Sequence, residues 1–570
     1  MLYDIPHDNK PQRGNCIISQ KLLLTSVFGP FAVDDRYGRK ENKIELFHNQ
    51  VTREQGIFSY RFNHSSFGLN MLAENVGVPA TVLDFPTLAG FRKELGKGYS
   101  HVGISFIMTN FDKARKMAEV VRELAPDAKI ILGGHGTNID GIEGMIEHDY
   151  ICKGEGVMFM RRLFGEKLDK PVKHPVMYSS YNRKVMGVPI PDGSGILVPG
   201  VGCANKCRFC STSHFFGEYT AYLETGRQIY DLCCEYEDRL GVTDFGILDE
   251  NFLKMPKRAF ELSELMEKNR RYFTFGIFSS AETLTSLPDL DVLVRLGVTF
   301  IWMGVESKKE SYEKNKGVDF RTLVAELRKR GVSVMTSIIL FSEEHDKRSI
   351  WDDVDFGIEL NPDYLQYMQL GPIPGTKLYQ DYELEGKLDD SVPLVERHGQ
   401  GRIWFHHPHF TGDESREYLT RAFRKDYAVN GASFLRGMKT ALNGYRYAAN
   451  HEDPSIRDHA KPFRDLALTT RHFLLASRLL SENAATARLV RELKAEYNRL
   501  FGSGGLKEAA LNAVVAGLAL KERVWTRLFG DVRQPPLLVT KYRMAGAGAS
   551  ERGRKGSEAL GYVMKKPAEA

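Results

Sequence analysis

From residue 21 to residue 170 the chain alternates short apolar runs with segments whose apolar residues return every three or four positions. Lys21 to Val27, Ala80 to Asp84, His101 to Phe106, Lys129 to Gly134 and Asp149 to Cys152 read as strands. Between them, Phe111 to Leu124 carries Ala114, Met117, Ala118, Val121 and Leu124 on one helical face. Such alternation predicts a parallel, doubly wound, Rossmann-like sheet, in which ligands bind beyond the carboxyl ends of the strands. Residues 171–195 contain Pro171, Pro175, Pro189 and Pro191 with little periodicity and read as a linker. The alternation resumes over 196–395. Strand patterns begin with Gly195 to Pro199 and continue with Asp244 to Leu248, Phe273 to Phe278, Thr299 to Gly304, Ser333 to Ile339 and Tyr364 to Gln369. Helical patterns such as Gly226 to Leu240 and Thr322 to Arg330 lie between them, so the region suits a partial (β/α)6 barrel with its site at the carboxyl ends of the strands.

Beyond residue 395 only helical periodicity remains. Leu419, Phe423 and Tyr427 make one core stripe, Leu489, Leu493, Tyr497 and Leu500 another, and a further apolar helix runs to about Phe529. The fold class is therefore α/β, with a helical C-terminal domain over 396–530. Residues 1–20 form a polar lead, and 531–570, rich in Gly, Ala, Lys and Arg from Arg543 onward, are expected to be disordered.

Composition narrows the partners. A net charge of +5 over 570 residues does not indicate nucleic acid. Seven cysteines, three of them in one cluster, suggest a reducing compartment rather than a disulfide framework. The first twenty residues lack the pattern of a signal or transit peptide, and nowhere do eighteen apolar residues run together. The expected location is the cytoplasm. Arg471, Arg478, Arg488, Arg491 and Arg499 read as solvated helix faces, with contact to anionic lipid at the inner membrane face as the alternative.

The chemistry concentrates in Cys203-Ala204-Asn205-Lys206-Cys207-Arg208-Phe209-Cys210. Three thiols spaced C-x3-C-x2-C can ligate three irons of a cubane [4Fe-4S] cluster and leave the fourth open to another ligand. His214 offers an alternative, since it would complete a Cys3His zinc set. A scaffold or electron carrier holding iron and sulfur, or zinc, is the matching non-enzymatic reading.

The cysteine spacing, with Phe209 before the third cysteine, resembles the radical S-adenosylmethionine (SAM) superfamily. The resemblance implies that the fourth iron binds SAM, and that one electron from an external donor of the flavodoxin or ferredoxin type cleaves it to a 5′-deoxyadenosyl radical. It also implies SAM contacts at successive strand ends: Asp249, Glu250 and Asn251, then Ser279 and Glu282, then Gly304 and Glu306. Ser280 and Ser307 stand beside these. Helix capping is the bland alternative for each carboxylate. Gly371 to Tyr379 resembles the P-x-P-G-T turn near the end of such barrels, where packing is its expected role.

Upstream, the strand-end loops carry Ser105 and Thr109, then Gly133-Gly134-His135-Gly136, then Gly154 and Glu155. Their order, with the helix start Phe67 to Ala73, resembles the cobalamin-binding domain of cobalamin-dependent radical SAM enzymes. No D-x-H-x-x-G motif is present, which argues against a histidine ligand to cobalt. The resemblance implies methyl transfer to an unactivated carbon of a small-molecule substrate, and the basic helical C-terminal region would suit a lipid or isoprenoid drawn from a membrane surface. Rearrangement, cyclisation or carbon–carbon coupling remain as alternatives, and a vestigial or substrate-binding first domain is another. The connection Gly29 to His64 is long, polar and rich in aromatics, as functional or mobile loops are; within it Asp34 to Arg39 reads as a solvated cap, with reach to the cofactor or substrate as the alternative. His406-His407-Pro408-His409 reads as a loop rather than a metal tract.

Overall fold

The computed structural model describes residues 20–190, 194–309 and 313–543. The first sheet contains β1 (Leu22–Thr25), β2 (Ala80–Asp84), β3 (His101–Ser105), β4 (Lys129–Gly133) and β5 (Tyr150–Ile151), in the spatial order 2-1-3-4-5. All pair in parallel, with Leu22 opposite Ala80 on one side and His101 on the other. Leu22, Leu23 and Leu24 are buried on both faces, which is why this central strand reads as an unbroken apolar run. Helix α1 (Phe67–Asn75) leads into β2, and α2 (Phe111–Leu124) connects β3 to β4, burying Ala114, Met117, Ala118 and Val121. The order reverses between β1 and β3, so a crevice opens beyond their carboxyl ends.

The second sheet contains β6 (Ser194–Leu197), β7 (Asp244–Ile247), β8 (Thr274–Phe278), β9 (Val298–Glu306), β10 (Ser333–Leu340) and β11 (Tyr364–Gln369). Each strand pairs in parallel with its predecessor, and the spatial order is strictly sequential. Among the elements that cover it are α3 (Ser211–Phe216), α4 (Gly226–Leu240) and α5 (Phe320–Lys329). A capping box at Thr225 and Gln228 starts α4, and Gly241 in the left-handed region ends it. From Gly412 to Phe529 the regular elements are helices, among them α6 (Gly412–Asn430), α7 (Ser433–Ala449), α8 (Ala460–Arg471), α9 (Leu474–Leu480), α10 (Ala484–Phe501) and α11 (Leu506–Phe529).

One reading of the sequence is corrected. Leu538–Tyr542, placed in a disordered tail, forms a strand (β12) antiparallel to β2, with Leu538 opposite Asp84 and Tyr542 opposite Ala80. Five residues preceded by a proline pair gave no periodic signal, and their partner lies far away in sequence. The rest of that tail, 544–570, and the lead as far as residue 19 lie outside the described residues. In the connection Gly29 to His64, Asp34, Asp35 and Arg36 are exposed, while the later part of the segment is packed. Phe47, Val51 and Tyr60 pack with Phe300, Trp302, Met335 and Tyr364 on the inner face of the second sheet, and Gln50 accepts a hydrogen bond from Gln366 (2.7 Å). Those strand residues need an apolar cover, and this connection supplies it.

Candidate active site

The cysteine loop leaves β6 and is closed at its base by two short antiparallel strands, Gly200–Val201 and Thr220–Ala221. Gly202 sits there with φ +88°, and a Cβ would stand 2.2 Å from the Glu218 carbonyl oxygen, so the turn admits no other residue. Cys203, Cys207 and Cys210 are half-buried free thiols. The Cys210 amide donates to the Cys207 carbonyl (3.0 Å), and Cys210 precedes the first residue of α3. Burial raises the Cys203 thiol and the nearby Glu250 charge adds to this; burial also raises Cys207, opposed by Lys314 and reinforced by Glu306 and Glu282. Residues from the ends of β7, β8 and β9 thus surround the thiols.

His214 lies in α3, one turn beyond Cys210. Its Nδ1 is 2.9 Å from the Cys210 carbonyl oxygen, a contact that leaves Nε2 as the nitrogen a metal could use. A zinc ion would need its four donors within about 2.3 Å of one point. The cubane makes a different demand, since each thiolate meets its own iron, and three thiols on one loop with a fourth position open fit it. His407 Nε2 meets the Ser342 carbonyl (2.9 Å), while His406 and His409 are exposed.

Asp249 is committed within the protein. Arg258 Nη2 donates to its Oδ2 (2.6 Å), Tyr219 donates to the same oxygen (2.7 Å), and the Asn251 amide donates to Oδ1 (3.2 Å). Both charged side chains are at most 2 % exposed, so this is a buried ion pair anchoring the strand that closes the cysteine loop. Glu250 faces the other way. It is open to water yet ringed by protein, and burial followed by the Asp249 charge raises its carboxyl.

Asn251 joins the ends of β7 and β8: its Nδ2 donates to Ser280 Oγ (2.9 Å) and Thr283 Oγ1 (3.2 Å), and Ser279 donates to its Oδ1 (3.4 Å). Glu282 accepts from Lys254 through Oε1 (3.1 Å), while its buried Oε2 has no partner. Gly304 clears space for Glu306, whose backbone has φ +66° and whose carboxylate folds back over the strand. Lys314 donates to Glu306 Oε1 (2.5 Å); burial lowers Lys314, but the Glu306 carboxylate outweighs it and the net shift is upward. Phe209 packs against the apolar core of the second sheet.

At the first sheet, His135 stacks on Phe215 of α3, with ring centroids 4.4 Å apart. Its Nδ1 is buried without a partner, and burial lowers its pKa to about 4. Two neighbouring glycines serve packing: a Cβ at 134 would stand 2.6 Å from the Phe106 carbonyl oxygen, and one at 136 would stand 2.3 Å from the Phe106 ring. A Cβ at Gly133 would meet only Cys152, at 4.0 Å. Glu155 caps a helix by accepting from the amides of Val157 (2.8 Å) and Met158 (2.7 Å), and also accepts from Tyr222. Gly154 has φ +82° and its Cβ would approach the Phe215 carbonyl at 3.3 Å. Ser105 ends β3, and Thr109 is buried in the following turn. The carboxyl ends of the two sheets therefore meet at α3, directly after the cysteines. Gly375, with φ +85°, adds a second junction, since its Cβ would stand 2.5 Å from Asn138 Nδ2.

Lys314, Arg258, Tyr219 and Phe215 carried no signal in the sequence. Their roles come from approach across the fold rather than from spacing.

Residues 197–356 match the sequence profile of the Radical SAM superfamily. Bacteriochlorophyllide d C-8(2)-methyltransferase of Chlorobaculum tepidum is 24 % identical over 319 residues, which is 51 % of this chain and 70 % of that protein. Anaerobic magnesium-protoporphyrin IX monomethyl ester cyclase of Rubrivivax gelatinosus is 21 % identical over 342 residues, 52 % of this chain and 59 % of its own length. The fold resembles that of TsrM from Kitasatospora setae, a radical S-adenosylmethionine methyltransferase solved with tryptophan and a SAM analogue. The match has a TM-score of 0.50 at 14 % identity and covers 80 % of this chain and 99 % of TsrM.

Proposed function

Because this chain is a radical SAM enzyme, with that domain over residues 197–356, we propose that it methylates an unactivated carbon of a small-molecule or lipid substrate with the help of cobalamin. The observation that carries the cobalamin half is the His135–Phe215 stack, which brings the carboxyl-end loop of a 2-1-3-4-5 sheet against the helix that follows the cysteines. In this reading residues 21–170 are a Rossmann-like cobalamin-binding domain, 171–195 a linker, 196–395 a partial barrel and 396–530 a helical domain. Relatives named as methyltransferases favour methylation.

Cys203, Cys207 and Cys210 would hold the [4Fe-4S] cluster. Once bound, the cluster and SAM supply the 5′-deoxyadenosyl radical, and cobalamin supplies a transferable methyl group. The unpartnered Glu282 Oε2 and the outward Glu250 suit the ammonium and hydroxyl donors of SAM. Asn251 holds the ends of β7 and β8 in register beside them. Glu306, fixed by Lys314, sets the charge next to Cys207. On the other side His135 is neutral at pH 7, and its free Nδ1, with the open surface at Gly133, fits the amide-fringed edge of a corrin. The aromatic cover from Phe47 and Tyr60 keeps water from the inner face of the second sheet, which suits a radical step. The electron would come from a flavodoxin or ferredoxin type of donor.

The test is anaerobic loading with iron, sulfide and cobalamin, followed by methyl-labelled SAM and a strong reductant. The expected result is retained cobalamin, labelled methyl moving onto it with release of S-adenosylhomocysteine, and 5′-deoxyadenosine formation. Protein that cleaves SAM but holds no cobalamin would overturn the cobalamin half. Cleavage with cobalamin held but unmethylated would favour a cyclising or rearranging outcome, as the name of the Rubrivivax relative would suggest.

A further inference from the structure

The longest helix, α11, turns an apolar stripe toward solvent. Its packed side consists of Val515, Ala516 and Ala519, which join the helical core with α9 and α10. The other side carries Leu511, Val514, Val524, Trp525, Leu528 and Phe529, all exposed; Trp525 is 49 %, Leu528 70 % and Phe529 67 % accessible. Trp525 and Phe529 lie one turn apart with ring centroids 4.3 Å apart, so the C-terminal end of the helix is a broad aromatic ledge. Val532 and Leu537, in the stretch leading to β12, extend the exposed apolar surface. Large apolar side chains left contiguous in water mark an interaction surface.

The charges along α11 are sorted by sign. Glu508 is paired with Arg471 (2.8 Å), and Glu522 with Arg533, so both carboxylates are neutralised. Lys507 and Lys521 are exposed on the same helical face as the apolar residues, and Lys521 stands between Val514 and Trp525 along the stripe. No helix among the described residues is long and apolar enough to cross a membrane. An exposed apolar stripe with a Trp and Phe ledge, interspersed cations and paired acids matches the chemistry of an anionic lipid surface, where apolar side chains enter the acyl boundary and Lys and Arg meet phosphate headgroups. A protein partner would need a matching rigid groove; a bilayer needs only this composition.

We propose that the outer face of α11 docks this enzyme on anionic membrane surfaces, with Trp525, Leu528 and Phe529 as the inserted residues and Lys507 and Lys521 as the headgroup contacts. The proposal stands apart from the reaction assigned above, because none of these residues lies in the candidate active site.

The experiment uses the full chain and vesicles of phosphatidylcholine, either pure or mixed with phosphatidylglycerol, read by flotation and by Trp525 fluorescence. The intact protein should float with the mixed vesicles and not with the pure ones, and its emission should move to the blue, a shift absent from Trp525→Phe. Leu528→Ser/Phe529→Ser should weaken binding by roughly tenfold or more, and Lys507→Glu/Lys521→Glu by a similar factor that shrinks at high salt. Both pairs are exposed, and unchanged circular dichroism will show that the variants are folded. Lack of binding to mixed vesicles, binding that survives both double substitutions, or a blue shift that depends on protein concentration without lipid would overturn the proposal. The last result would assign the face to a second copy of the chain.

Discussion

Gly304 and Glu306 share one small volume. A Cβ on residue 304 would stand 2.2 Å from Oε1 of Glu306 and 3.0 Å from Nζ of Lys314, so the absence of a side chain at 304 is what lets the Glu306 carboxylate fold back to meet Lys314 beside Cys207. In the fold Gly304 makes room for its own neighbour two residues on.

Gly304→Ala should therefore displace a charge rather than block a cofactor. We expect the iron–sulfur absorbance to be retained and 5′-deoxyadenosine formation to fall by at least about tenfold, because a small misplacement of a positioning group is amplified in rate. Lys314→Met should have the same signature. Loss of the cluster in either variant would contradict this assignment.

The Asp249 and Arg258 pair is nearly inaccessible on both sides. Arg258→Met leaves a buried carboxylate without its cation and should cost about 3–5 kcal/mol in urea unfolding. Asp249→Leu combined with Arg258→Met should cost less than the single change, since no charge is then stranded. A double variant as unstable as the sum of the singles would show that the pair does not act as a unit.

Stability should fall on mild acidification. Burial lowers His135, His174, His398 and His459 from 6.5 to about 4. Between those values the unfolded chain takes up a proton at each site and the folded chain does not, so the fold is favoured above pH 6.5 and loses stability as pH falls toward 4. Each group contributes up to about 1.4 kcal/mol per pH unit in that window. Urea midpoints measured across it check the slope; a flat profile would mean that these rings protonate without opening the fold.

Removing the thiols and removing His214 should have different effects. Cys203→Ala, Cys207→Ala and Cys210→Ala should each abolish the broad iron–sulfur absorbance after anaerobic reconstitution. His214→Ala should leave it, since a cubane held by three thiols with its fourth iron open needs no histidine. Equal losses in all four variants, with zinc bound by the intact protein, would restore the zinc reading.

The sequence by itself determined what depends on local order. Period-two and unbroken apolar runs located every strand of both parallel sheets except β12, the helical period located α2 and α4 to their end residues, and three thiols in eight residues marked the cysteine loop. These features are local because backbone geometry imposes the periods. Tertiary structure alone decided what depends on approach. It paired Asp249 with Arg258, set Lys314 against Glu306, laid His135 on Phe215, and turned Gly134 and Gly136 from cofactor cradle into clearance for Phe106. It also covered the inner face of the second sheet with residues 47–60 and returned Leu538–Tyr542 to the first sheet. Such contacts join residues whose spacing along the chain carries no period. Burial and shape, fixed only when the sheets and helices pack, determine which side chains meet.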